Sequence, residues 1–188
     1  MAKKILLHAC CAPCTVGVWG QLKDDFEITL FWYNPNISPK AEHDRRLTEL
    51  LNFCDSQNIK IIVGDYDWDE EHKYWLDLVK GLEKEPERGK RCEVCYEMRL
   101  EATAAIAAQA NDHHDGEFDL FGAELSISPH KDAKMINKIG ERVGEKFGVD
   151  YYIADFKKHD GAKLVSEINS KYKMYRQNFC GCEFSKKN

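Results

Sequence analysis

Seven of the eight cysteines in this 188-residue chain fall into three short clusters: "CCAPC" (Cys10, Cys11, Cys14), "CEVC" (Cys92, Cys95) and "CGC" (Cys180, Cys182). Thiolates bind soft metals and carry electrons, so sulfur at this density is the chemistry to explain. Cys11-x-x-Cys14 with Cys92-x-x-Cys95 has the paired spacing of a tetrahedral zinc site, which leaves Cys10 spare. Cys10, Cys11, Cys92 and Cys95 equally supply the four thiolates of an iron–sulfur cluster, whose separate irons make use of adjacent cysteines. Spacing alone does not choose between the two. Cys180-Gly181-Cys182 admits a strained, reducible disulfide, a pair of metal ligands or two unpaired thiols. Cys54 lies at helical spacing from Leu47, Leu50 and Leu51 and is expected to be a small buried hydrophobe.

The elements that must position these thiols follow from hydrophobic patterning. Strands are expected at Lys4–Ala9, Glu27–Tyr33, Lys60–Asp65, Phe118–Leu125 and Tyr151–Phe156. Helical patterns lie between them at 14–23, 40–56, 67–81, 94–110 and 131–147, with another near 162–173. Such alternation predicts a single Rossmann-like α/β domain over 1–188, with a mainly parallel sheet and helices on both faces. Ligands of open parallel sheets bind beyond the carboxyl ends of the strands. The turn after the first strand is often glycine-rich to approach a phosphate; here "CCAPCT" stands in its place, with Pro13 suited to open the next helix. Cys95 is expected in the first turn of a later helix, so two helix N-termini would favour thiolates and an anionic cofactor.

The composition, 43% hydrophobic and 31% charged, is that of an ordinary globular protein. The net charge of −5 argues against broad nonspecific nucleic-acid binding. Two local basic patches stand out: Arg88, Lys90 and Arg91, and Lys157, Lys158 and Lys163. No apolar run approaches the roughly 18 residues of a membrane span. The apolar stretch after Lys3 and Lys4 is too short for a signal peptide, so a cytoplasmic location is expected. In that reducing setting, clustered cysteines indicate metal binding or catalysis.

The motifs "HACCAPC", "YNPNI", "RCEVCYEMRLEATA", "DFKKHDG" and "EINSKYKMYRQNFCGCEFS", in this order over residues 4 to 185, resemble the QueH-type epoxyqueuosine reductases. The resemblance implies a HUP-class Rossmann-like fold and the cobalamin-independent reduction of epoxyqueuosine to queuosine at the wobble position of tRNA. It implies a [4Fe-4S] cluster on Cys10, Cys11, Cys92 and Cys95, and an additional iron with Cys14 among its ligands. The segment "FGAELSISPHKD" departs from the pattern "TTLLxSPY", keeping Ser128-Pro129 but placing His130 where an aromatic residue is expected. The partners implied are tRNA and an external electron donor, with no membrane or DNA.

Removing an epoxide oxygen as water needs two electrons and two protons. A [4Fe-4S] cluster passes one electron at a time, so an adjacent iron or the Cys180/Cys182 dithiol is expected to act as a second store. His8, Tyr33, His130 and Tyr175 are the candidate proton sources, and Arg88, Lys90 and Arg91 the candidate tRNA phosphate contacts. Two other functions compete: a zinc-stabilised tRNA-binding module, and a thiol–disulfide oxidoreductase centred on Cys180 and Cys182.

Overall fold

The computed structural model describes residues 2–113, 117–158 and 174–186. In chain order the elements are β1 (Lys3–Ala9), α1 (Ala12–Leu22), β2 (Phe26–Trp32), α2 (Lys40–Gln57), β3 (Lys60–Val63), α3 (Trp68–Leu78), α4 (Lys90–His113), β4 (Leu120–Ala123), α5 (Ala133–Phe147) and β5 (Asp150–Tyr151). Short 3₁₀ turns lie at Glu124–Ile127 and Glu183–Ser185. The helical pattern expected near 162–173, and Lys163 with it, lie outside the described residues.

All five strands run parallel, in the order β3-β2-β1-β4-β5. Alternate side chains of each strand enter opposite layers, as the twofold repeat of a strand requires. Ile5, Leu7, Ala9, Leu30 and Trp32 meet Val16 of α1 and Leu50 and Phe53 of α2. Leu6, Phe31 and Phe121 meet Leu100 and Ala104 of α4 and Ile136, Ile139 and Val143 of α5. The sheet is thus covered by helices on both faces, the Rossmann-like arrangement expected from the strand–helix alternation.

Strand order places the site. The chain leaves β1 towards β2 and β3, then crosses back to the other side of β1 to lay down β4. The carboxyl ends of β1 and β4 therefore flank the point where the winding reverses, and connections that depart in opposite directions leave a crevice there. Cys10 follows the end of β1, and Glu124 follows the end of β4.

Helix termini refine the expected boundaries. Helix α4 begins at Lys90 rather than near residue 94, which puts both Cys92 and Cys95 inside it, one turn apart. Pro13 occupies the second position of α1 rather than the first, because Ala12 precedes it; either place suits a residue without an amide donor. Asp132 caps α5 by accepting from the Lys134 and Met135 amides at 2.9 and 3.2 Å. Gly148, at φ 70°, ends it in the left-handed conformation that glycine adopts without strain. Strand β5 is only Asp150–Tyr151, because beyond the Tyr152 amide bond to Phe121 the Ala154 amide turns to the Asn137 side chain. No helix among the described residues is long and apolar enough to cross a membrane.

Candidate metal centre

The first wall of the site is the β1–α1 turn. Cys11 sits at the N-cap of α1, where Ser, Asp or Asn would ordinarily bond the free amides, yet its side chain makes no capping hydrogen bond. Its thiol is therefore available. The Cys14 and Thr15 amides close the first turn on the Cys11 carbonyl, which brings Cys14 onto the same side of the helix. The sulfurs of Cys10, Cys11 and Cys14 all lie within 4.8 Å of one another, close enough to share one metal ion. Cys11 and Cys14 are the closest pair, at 2.7 Å.

The second wall is the start of α4. The Cys92 thiol accepts the Arg88 amide at 3.3 Å and faces the cavity, whereas Cys95, one turn later, is buried. Cys95 packs in an apolar cluster with Trp75, Val79, Met98 and Cys182. The third wall is the C-terminal segment, where Cys180 faces the cavity and Gln177 donates its side-chain amide to the Cys11 sulfur at 2.9 Å. The three sequence clusters thus converge. Cys10, Cys14, Cys92 and Cys180 line a single cavity of about 690 Å³ together with His130 and Lys131. All eight cysteines are free thiols in this structure.

The C-terminal wall is held by α2. Arg46 pairs with Glu42 at 2.7 Å and donates to the carbonyls of Cys180 (3.0 Å) and Phe179 (3.2 Å). Tyr175 donates to the same Glu42 at 2.9 Å. The Ser38 amide bonds the Gly181 carbonyl. Gly181 has φ 112°, and a Cβ there would come within 2.9 Å of the Arg46 guanidinium, so the residue between the two thiols must be glycine.

Charge in the cavity is distributed unevenly. Hydrogen bonds from Cys11 and Cys14 hold the Cys10 thiol well below the ordinary range, assisted by the Lys131 charge. Cys14 is pushed up by the same shared bonds, and Cys11 chiefly by burial. Of the three thiols, Cys10 thus gives up its proton most readily. Burial pushes Cys95 up to about 12 despite the Arg99 charge beside it, and Cys182 up to about 11. Glu124 is fully buried, accepts from Thr15 at 2.9 Å and is kept neutral by burial and by the Cys10 charge. Burial works against the Lys131 ammonium, but Cys10, Cys180 and Cys14 override it and keep the group charged.

The expected proton sources separate cleanly. His8 is buried inside the sheet, donates to the Tyr33 carbonyl at 3.0 Å and is driven by burial down to about 3, which keeps it neutral. Tyr33 is committed to Glu71 and Tyr175 to Glu42. Of the four, only His130 lines the cavity. The basic loop also needs correction. Arg91 is buried, donates to the carbonyls of Leu82, Glu83 and Glu85 and lies over the Phe184 ring, so it is not open to a phosphate. Arg88 is exposed but spans to the Pro129 and His130 carbonyls at 2.6 and 3.2 Å. Lys157 donates to the Ser126 and Lys131 carbonyls. Sequence reasoning missed Lys131, Glu124, Arg99, Gln177 and Arg46. Of these, Lys131 had the nearest signal, standing beside His130 in "SISPHKD".

Fold and site together define a parallel α/β protein with a thiol-lined cavity at its topological switch point. A family model described as epoxyqueuosine reductase QueH matches residues 5–188. A relative from Histophilus somni (strain 129Pt), named epoxyqueuosine reductase QueH, is 38% identical over 184 residues, covering 97% of this chain and 72% of its own. Relatives with the same name come from Acinetobacter baylyi (37% identical; 98% of this chain, 81% of theirs) and Thermotoga maritima (34% identical; 96% and 89%). This chain belongs to the epoxyqueuosine reductase QueH family.

Proposed function

We propose that this chain is an oxidoreductase that converts epoxyqueuosine to queuosine at the wobble position of tRNA, using a [4Fe-4S] cluster held by Cys10, Cys11, Cys92 and Cys95. The observation that carries the reading is the convergence of three cysteine clusters, scattered over 173 positions from Cys10 to Cys182, on one cavity at the sheet's switch point, in a chain of the QueH family.

The donor set suits the group. Thiols from two helix starts surround the site, and the buried cations Arg99 and Lys131 make no ion pair among the described residues, which favours an anionic occupant. Cys14 remains beside the four ligands as the thiol for an additional iron. When bound, the metal group supplies electrons one at a time and a Lewis acid for the epoxide oxygen.

The chain's own residues supply the rest. Epoxide, two electrons and two protons give an alkene and one water. The Lys131 ammonium, 8% exposed and without a hydrogen-bond partner among the described residues, holds the oxygen as its negative charge grows. His130 beside it delivers a proton. Cys180 at the cavity and Cys182 behind it form the dithiol that stores an electron pair between turnovers, released with two protons as the disulfide forms. The tRNA approaches over exposed Arg88 and Lys90 and over Lys186, which lines the cavity, and an external reductant refills the site.

A second reading has one specific observation in its favour. The compact Cys10, Cys11 and Cys14 triad would also suit a single zinc ion. The deciding experiment incubates anaerobically purified protein and a reductant with tRNA bearing epoxyqueuosine, and measures nucleosides by mass spectrometry. Queuosine is the expected product. Unchanged epoxyqueuosine, with an iron-loaded protein and a working reductant, overturns the proposal.

A further inference from the structure

Arg99 is 1% exposed, among the most deeply buried charged groups in the protein, and no carboxylate pairs with it among the described residues. It stands one helical turn after Cys95 on α4, and helical side chains lean back towards the N-terminus, so its guanidinium reaches the preceding turn. There Nε donates to the Cys95 carbonyl at 3.0 Å and Nη2 to the Cys95 sulfur at 3.3 Å. The same group lies 5.8 Å from the centre of the Tyr96 ring. An unpaired guanidinium in a protein interior costs several kcal/mol, which hydrogen bonds and a nearby negative charge offset. Sulfur is what this one touches. Lys131, also buried, lines the open cavity and so faces substrate, whereas Arg99 bonds Cys95 from behind.

We propose that Arg99 is a positioning residue that sets the reduction potential of the metal group through Cys95. This rests on the iron–sulfur reading above. An N–H donor and a fixed positive charge at a thiolate ligand stabilise the state that holds one more electron, and so raise the potential. The forked guanidinium also fixes the Cys95 rotamer by bonding sulfur and carbonyl of the same residue, which the single ammonium of lysine does not reproduce.

The test is a dye-mediated redox titration of the anaerobic, reconstituted protein, followed by electron paramagnetic resonance. Wild type is compared with Arg99→Met and Arg99→Lys, and iron and sulfide are measured in each. For Arg99→Met with wild-type metal content, we expect the reduction equilibrium to fall tenfold or more, about 59 mV for a one-electron couple. Arg99→Lys is expected to fall between the two. A wild-type potential in metal-replete Arg99→Met overturns the proposal, since a merely structural role would lower the melting temperature and leave the potential in place. Should Arg99→Met fail to fold or to hold metal, Arg99→Lys decides alone: a lowered potential supports the proposal and a wild-type one overturns it. Wild-type protein that takes up no iron–sulfur group would instead sink the functional reading, and this inference with it.

Discussion

On one side of the cavity the thiols stand on regular structure: Cys10 and Cys11 between β1 and α1, and Cys92 and Cys95 in the first two turns of α4. On the other side, Cys180 and Cys182 stand in a segment whose only described element is the 3₁₀ turn Glu183–Ser185. Backbone hydrogen bonds of sheet and helix fix the first group, while side chains of α2, chiefly Arg46 and Glu42, fix the second. The difference suits the two tasks proposed for them. Metal ligands gain from rigid elements that hold sulfur in place, whereas a thiol pair that changes oxidation state needs a wall that can adjust.

The largest effect that separates the two sides is expected from Cys92→Ser. Losing a ligand on the rigid wall should remove the metal group and activity together, read as iron content and visible absorbance. Full metal occupancy in that variant would remove Cys92 from the ligand set, and retained turnover without metal would favour a thiol–disulfide enzyme. Next comes Cys180→Ser with Cys182→Ser, assayed anaerobically. Multiple-turnover reduction should fail while iron and sulfide stay at wild-type levels. Wild-type turnover would reduce the C-terminal wall to a structural role.

Arg46→Met probes how that wall is held. It leaves Glu42 and two carbonyls without their charged partner, a loss of about 3 kcal/mol, or roughly 6–12 °C in Tm for a chain of this size. Metal content should survive, because no ligand on the first side touches Arg46. Metal loss would show that the two walls are not independent.

A smaller effect concerns tRNA. Arg88→Ala with Lys90→Ala should make tRNA binding less sensitive to salt, by about one logarithmic slope unit for each phosphate left without its cation. Arg91→Ala should leave that slope alone and lower stability instead, since three carbonyls lose a charged donor.

The smallest lies in α2. Burial holds His43 below its ordinary value of 6.5, against the pull of Asp44, and its Nε2 accepts from the Trp32 indole. The unfolded chain therefore binds this proton more readily. The contribution to stability is present above pH 6.5 and is lost as pH falls below it, through the lowered value. Denaturant titrations from pH 7 to pH 5 should show a decline that His43→Gln flattens; an equal slope in both proteins would assign the decline to other groups.

Much of the fold is legible in the chain because period-two and period-3.6 patterns persist under packing. The β1 run and the Cys92–Cys95 pair are visible for that reason. What escapes such reading is where polar groups turn inward. Arg91 belongs to the charged run "EKEPERGKR", which has the composition of an exposed loop; inward-facing carbonyls of Leu82, Glu83 and Glu85 make it a core residue. Glu124 falls within a run patterned as a strand, yet the chain breaks into a 3₁₀ turn after Ala123 and drops its carboxyl beneath the first cysteine turn. Arg99 has a helical setting by pattern, but it bonds a Cys95 that is buried by stretches distant in sequence, Trp75 of α3 and Cys182 of the C-terminal segment.

The central claim is that Cys10, Cys11, Cys92 and Cys95 hold an iron–sulfur cluster, and its most direct test is the iron and acid-labile sulfide content of protein purified without oxygen. About four irons and four sulfides per chain, or slightly more iron where an additional ion is bound, are predicted for a [4Fe-4S] site. One zinc per chain with neither iron nor sulfide would contradict it.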